Sequence, residues 1–216
     1  MLKEPAHQPN WSQFYDYIKD QGPSIELLQT LILLDFDPDL IQPLYAVDLG
    51  CGEGRDTREL LRRGWQVLAV DSCAEGIRRL EAHPDSADHE QLETRVESAA
   101  DATWSNATLI YASRVLPFLS NDEFTRLWKK VADSVERGSY FSCTLFGDRH
   151  DFASDPSIRC RTAAQVQELF SPFEIIAYDE VEQDTLSRNT PFHCHMFNVI
   201  AKRKLSSAPH AVASGS

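Results

Sequence analysis

Val47-Asp48-Leu49-Gly50-Cys51-Gly52-Glu53-Gly54-Arg55-Asp56-Thr57 is the stretch on which the fold turns. A short apolar run, Tyr45 to Leu49, enters glycines at alternate positions, and a helix-like segment from Asp56 to Arg63 leaves them, closed by Gly64. Glycine there lets the backbone turn tightly and approach a ligand without interference from a Cβ. The helix N-terminus behind the turn carries about half a positive charge and favours an anionic group. A second apolar run, Gln66 to Asp71, ends in an acid. In doubly wound sheets an acid at that place accepts hydrogen bonds from ribose hydroxyls. Loop and acid together imply an adenosine-containing cofactor. The spacing Gly50-x-Gly52-x-Gly54 is one residue shorter than the dinucleotide fingerprint, and no Lys-Ser/Thr follows it to make a P-loop.

Working outward, strand-like and helix-like segments alternate. Ser72 with Glu75 reads as a capping box opening a helix to about His83; Ser120 with Glu123 opens one to about Glu136, and Thr162 with Gln165 opens a third. Between them lie strand-like runs at Leu92 to Val96, Thr108 to Ala112 and Ser139 to Phe146. Two more follow, Glu174 to Val181 and Phe192 to Lys202, joined by a polar linker with Pro191. The pattern predicts an α/β fold: a largely parallel sheet of seven strands, doubly wound, with helices on both faces. Ahead of it, Trp11, Phe14, Tyr15 and Ile18 mark an amphipathic helix, and an apolar run spans Ile25 to Leu34.

Composition narrows the function. The 216 residues hold 21 Lys+Arg against 33 Asp+Glu, a net charge of −12, with no basic run, so a nucleic-acid partner is not expected. The longest apolar stretch falls short of the roughly 20 residues a membrane-crossing helix needs. Five scattered cysteines without a Cys-x-x-Cys suit reduced thiols and a cytoplasmic protein better than a disulfide framework or a metal site. One domain is expected over 1–204, with a helical N-terminal extension over 1–44 and a flexible tail over 205–216.

At the quoted residues the chain resembles the class I methyltransferases that use S-adenosylmethionine (SAM), whose first motif reads Asp-x-Gly-x-Gly-x-Gly. It is similar in particular to small bacterial methyltransferases related to the tellurite-resistance methyltransferases. Leu49-Gly50-Cys51-Gly52, Gly54-Arg55-Asp56-Thr57, Gly64-Trp65, Leu116-Pro117-Phe118 and Leu145-Phe146-Gly147-Asp148-Arg149 carry that likeness, which runs from about Trp11 to Lys204. The resemblance implies a Rossmann-like sheet with an antiparallel last strand, and SAM as cofactor with S-adenosylhomocysteine (SAH) as its product. It implies Gly50, Cys51 and Gly52 at the methionine moiety, within a motif completed by Asp48 and Gly54. Asp71 with Ser72 would meet the ribose and Glu97 with Ser98 the adenine, where the family commonly has Asp. The N-terminal helix would lid the cofactor, making Tyr15 a cofactor candidate and Tyr17 a substrate candidate.

Ligands of open α/β sheets bind at the carboxyl ends of the parallel strands. Arg114 follows the fourth strand and Arg149 the fifth; both are candidates for an acidic group on the substrate, Arg114 because its planar donor suits a carboxylate. With the last strand antiparallel, His193 and His195 start on the same rim and face the same side, which makes them candidates for a general base. Ala112-Ser113-Arg114-Val115-Leu116-Pro117 lacks the Asn/Asp-Pro-Pro-Tyr/Phe of amino methylases, so methylation of a nucleic-acid base is disfavoured. The reading is a SAM-dependent transfer of methyl to O, N or a soft S, Se or Te of a small molecule, by a monomer or homodimer with no membrane partner and no metal. Its rivals are a catalytically silent SAM-binding module and an NAD-dependent oxidoreductase.

Overall fold

The computed structural model describes residues 10–204 apart from 20, 39, 41, 88, 137, 188 and 189; the expected tail over 205–216 lies outside the described residues. Eight strands form one sheet: β1 (Tyr45–Leu49), β2 (Gln66–Asp71), β3 (Leu92–Val96), β4 (Leu109–Ala112), β5 (Tyr140–Gly147), β6 (Cys160–Arg161), β7 (Phe173–Ser187) and β8 (Thr190–Arg203). Their order is β3-β2-β1-β4-β5-β8-β7, with β6 pairing β5 off this path. Strands β1 to β5 run parallel, and β8 is antiparallel to both β5 and β7. The seven expected strands and the antiparallel last one are present. The eighth, β6, is two residues long and offers no periodicity to read.

The hairpin is the other departure. The stretch expected as a polar linker continues as strand, so β7 and β8 run to 15 and 14 residues. Its polar residues are cross-strand partners, Asp184 opposite His193 and Glu182 opposite His195, and polar cross-strand pairs of this kind stabilise the ladder.

Alternation along the strands builds two cores. Val47, Leu49, Ile110, Phe141 and Leu145 face α5 (Asn121–Glu136) and α6 (Ala163–Phe170), which contribute Leu127, Val131, Val135, Val166 and Phe170. Ala46, Leu109, Tyr111 and Tyr140 face α2 (Ile25–Asp35) and α3 (Arg55–Arg62), through Leu27, Leu31, Leu34, Leu60 and Leu61. A third, smaller cluster of Phe146, Cys194 and Met196 sits at the carboxyl end of β5, packed by Phe118 and Phe192.

Two of the expected capping boxes form and the third does not. Ser120 and Glu123 bond reciprocally at the head of α5, and Thr162 and Gln165 do so at α6. Ser72 does not cap α4 (Ala74–Ala82): Cys73 holds the N-cap position, its N–H donating to Asp71 Oδ1 at 2.7 Å, while Glu75 turns to Arg78 and Arg79. The acid at the end of β2 thus satisfies the N-cap N–H that the Glu75 carboxylate was expected to reach. The N-terminal helix, α1 (Trp11–Ile18), is capped by Asn10. Among the described residues no helix is long and apolar enough to cross a membrane.

Candidate functional site

The turn from β1 into α3 is a backbone device. Gly50, Gly52 and Gly54 all have positive φ, 72°, 56° and 82°. A Cβ on Gly50 would stand 2.7 Å from Val115, and one on Gly54 would collide with Leu80. Side chains at these positions are excluded by conformation and by space. The N–H groups of Gly50 and Cys51 donate to Val70 O, and Gly52 N–H donates to Asp71 Oδ2 at 2.8 Å. Loop, β2 and the head of α4 are thereby tied to one carboxylate. Burial raises the Asp71 pKa, opposed by the two backbone N–H groups it accepts from. Each of its oxygens keeps a second lone pair for a further donor.

Asp48 lies beneath the loop rather than in it. It is 2% exposed, accepts from Thr57 Oγ1 at 2.6 Å, and is pushed up to about 7 by burial and by the neighbouring Asp56. It anchors α3 to β1. Burial likewise pushes the Cys51 thiol well up, which disfavours the thiolate needed for a nucleophile.

One strand further, Glu97 N–H donates to Asp71 O, and Glu97 Oε1 is buried without a hydrogen bond, its ion-pair partner Arg95 Nη1 standing 3.7 Å away. Ser98 Oγ donates to Glu123 Oε1 at 3.2 Å and accepts from Ala100 N–H, while Ser72 is exposed beside Asp71. A buried carboxylate oxygen that makes no hydrogen bond, next to a second carboxylate with lone pairs to spare, fits a nucleoside, whose ribose hydroxyls and exocyclic amine are donors. The residues present fit SAM. Tyr15 covers this seat: it is 3% exposed, and its ring lies 3.0 Å from where a Cβ of Gly52 would be. Tyr17, two residues on, is 53% exposed.

Beyond β4 the chain makes a second strained turn. Arg114 has φ 56°, and its Nη2 donates to Glu26 Oε1 at 2.6 Å, Glu26 being buried on α2. Beside it, Asp56 accepts from Ser24 N–H, Ser24 Oγ and Tyr111 Oη, a buried network joining α2, α3 and β4. Sequence reading missed Glu26, Asp56 and Ser24; the lone acid in the apolar run Ile25 to Leu34 was the available signal.

The histidines occupy other ground. His193 and His195 do face one side, but it is the side of Phe197, Val199 and Ala201, over α5 and α6; Phe192, Cys194 and Met196 face the rim cluster. His195 is 0% exposed, accepts at Nδ1 from Arg149 N–H and pairs at Nε2 with Glu180 at 2.9 Å. His193 pairs with Asp184 at 2.7 Å and Glu182 at 3.2 Å, which raise its pKa. The expectation of a base at His193 or His195 is therefore corrected. Arg149 is corrected with them: its guanidinium is clamped on Glu182 and Glu180, which raise its pKa further.

Residues 46–138, somewhat less than half of the chain, match a methyltransferase domain family. No curated protein matches the chain. Among solved structures, TehB from Haemophilus influenzae superposes with a TM-score of 0.70 at 18% identity, covering 88% of this chain and 66% of its own. This chain thus spans just under two thirds of that protein's length. A SAM-dependent methyltransferase from Methanosarcina mazei gives 0.61 at 23% identity, covering 77% and 96%. The 1,6-didemethyltoxoflavin-N1-methyltransferase of Burkholderia thailandensis, solved with that compound and SAH bound, gives 0.63 at 16%, covering 90% and 84%. Residues 46–138, which carry the glycine loop, Asp71 and Glu97, are thus similar to a methyltransferase domain, and the sheet around them has the fold of these solved structures.

Proposed function

We propose that the chain transfers a methyl group from SAM to a small molecule, as a monomer or homodimer in the cytoplasm. The observation that carries this reading is the pair of carboxylates, Asp71 with spare lone pairs and Glu97 with a buried oxygen that makes no hydrogen bond, beside three positive-φ glycines. SAM supplies an electrophilic methyl on a sulfonium: the acceptor's lone pair forms the new bond to carbon while the C–S pair returns to sulfur, leaving SAH. Asp71 and Glu97 hold the nucleoside by accepting from its hydroxyls and amine, and the glycine loop lets the backbone close on the rest. Tyr15, now over Gly52, moves aside with α1 on entry and excludes water once the seat is filled. Placement of the acceptor in line with the methyl is the main service the protein gives, worth several kcal/mol. With His193 and His195 both engaged by carboxylates, a proton released by an O–H or N–H acceptor passes to water.

A small acceptor agrees with the net charge of −12 and with the Burkholderia enzyme, whose structure seats a small compound together with SAH. Arg114 is the substrate residue that the placement favours, since it is partly exposed at the end of β4 and held by one carboxylate, Glu26, where Arg149 is held by two. The test is transfer of label from methyl-labelled SAM into a pool of small-molecule acceptors. Labelled product of low mass supports the proposal. SAH uptake without product from any acceptor leaves the silent module, and an NADH fluorescence change on mixing would point to the oxidoreductase.

A further inference from the structure

Glu53 lies in the loop between Gly52 and Gly54, yet its carboxylate takes no part in holding that turn. The residue is 6% exposed, and Oε1 is buried without a hydrogen bond. Among the described residues no cation stands within ion-pair distance of it. Burial raises its pKa, Asp16 acts the same way, and Arg58, Arg79 and His83 act against burial from further off. Arg58, on α3, would be the natural partner, but its Nη1 donates to the backbone O of Glu53 at 2.7 Å instead. Burial lowers the Arg58 pKa, and Asp85 and Asp56 oppose that only at a distance, Asp85 standing 3.9 Å from His83 Nδ1. Most of the guanidinium's N–H donors remain unused. An acid and a guanidinium this close in sequence and this poorly solvated normally pair with each other; here they stay apart.

What separates them is a cavity of about 300 Å³, which both residues line together with Lys19, Arg79, Ala82 and Pro84. Its size is at the lower end of those that hold small organic ligands, and its make-up, apolar wall with a few placed charges, is theirs as well. Lys19, the C-cap of α1, makes no ion pair among the described residues. Arg79 is already committed: it bonds Glu75 and Asp16, each at 2.8 Å, and lies over the Tyr15 ring. The cavity therefore presents two open cations, Arg58 and Lys19, and one open acid, Glu53. None of the groups that hold the nucleoside, Asp71 and Glu97 among them, lines it.

We propose that this cavity is a binding site for a small zwitterion of the α-amino acid type, its carboxylate received by Arg58 and Lys19, its ammonium by Glu53, and its side chain by Ala82 and Pro84. A guanidinium takes a carboxylate through two parallel N–H bonds, and an ammonium supplies the donors that the Glu53 carboxylate lacks. A plain anion would leave Glu53 unanswered and stand against its charge; a plain amine would do the same to Arg58. Only a ligand carrying both charges spans the gap that keeps the two side chains apart. The site is additional to the cofactor seat and independent of the reaction assigned there.

The test is calorimetric titration of the full chain near neutral pH, with and without saturating SAH, using L-leucine, 4-methylpentanoate, which lacks the ammonium, and 3-methylbutylamine, which lacks the carboxylate. L-Leucine is expected to bind at least roughly tenfold more tightly than either, whether SAH is present or not. Glu53→Gln keeps the shape and removes the charge; it is expected to weaken L-leucine by roughly tenfold and to leave 4-methylpentanoate no weaker. Lys19→Ala, an exposed change that does not put folding at stake, is expected to weaken L-leucine and 4-methylpentanoate alike by roughly two- to fivefold. L-Leucine no tighter than its two analogues, or unchanged in both Glu53→Gln and Lys19→Ala, overturns the site. Displacement of L-leucine by SAH overturns it too, since it would put the amino acid in the cofactor's own seat. Failure of SAH to bind the parent chain overturns the cofactor reading instead, and the titrations without SAH still judge the cavity.

Discussion

The glycine loop and the β7–β8 hairpin reach the same carboxyl rim, and both gather residues that carry chemistry, but they leave those residues in opposite states. In the loop the polar groups are backbone amides and two carboxylates, and the carboxylates retain open lone pairs: Asp71 shares its oxygens with two N–H groups, and Glu97 Oε1 makes no hydrogen bond. In the hairpin every imidazole nitrogen is engaged. His193 lies between Asp184 and Glu182, and His195 between Arg149 N–H and Glu180. A titratable side chain at a rim serves chemistry only while it keeps a free donor or acceptor. The loop meets that condition; the hairpin has used its groups to hold two long strands together.

Several substitutions break or sharpen this contrast. The largest effect is expected at Gly54. A Cβ there meets Leu80 at φ 82°, so Gly54→Ala costs about 2–4 kcal/mol of stability from strain and overpacking together, read as a lowered denaturation midpoint. His195→Ala is expected to cost about 1–3 kcal/mol, because Arg149 N–H loses its acceptor in a buried place, while kcat stays within about twofold. A fall of a hundredfold in kcat at unchanged stability would restore the hairpin as a catalytic element.

Asp48 gives a pH-dependent effect of similar size or smaller. Its folded pKa, about 7, lies above its unfolded value, so from about pH 4 upward the folded chain keeps a proton that the unfolded chain releases. The stability due to that proton is full below about pH 4 and is lost as pH rises through about 7. Asp48→Asn removes the titration, so its advantage over the parent should grow from pH 5 to pH 8 by about 1–3 kcal/mol in chemical denaturation. The smallest effect is expected at Tyr17, exposed on α1: Tyr17→Ala should shift stability by less than about 0.5 kcal/mol and leave methyl transfer unchanged.

The contrast also marks what could be read in advance. Gly50, Gly52 and Gly54 impose their conformation through the absence of a side chain, a local property, so the turn and the acid one strand over were legible from spacing alone. The amphipathic α5 and the reciprocal bonds at Ser120 and Thr162 are likewise local. The state of His193 and His195 depends on which residues of β7 stand opposite, and that register is set by a hairpin much longer than its apolar runs. The alternation correctly placed both imidazoles on one face, yet nothing in it told which face carries the rim. Glu26 and Arg114 meet across 88 residues of sequence, and His150 stacks on Phe146 of β5 and meets Phe192 on another strand. Contacts of that kind are decided by packing.

The central claim is that the loop and its carboxylates seat a nucleoside. Calorimetry of SAH against the parent chain and against Asp71→Ala, with both shown to be folded by circular dichroism, tests it most directly. Saturable uptake by the parent and a loss of at least roughly a hundredfold in the variant are predicted, as expected for charge-assisted hydrogen bonds from two hydroxyls. Equal uptake by the two proteins, or none by the folded parent, would contradict it.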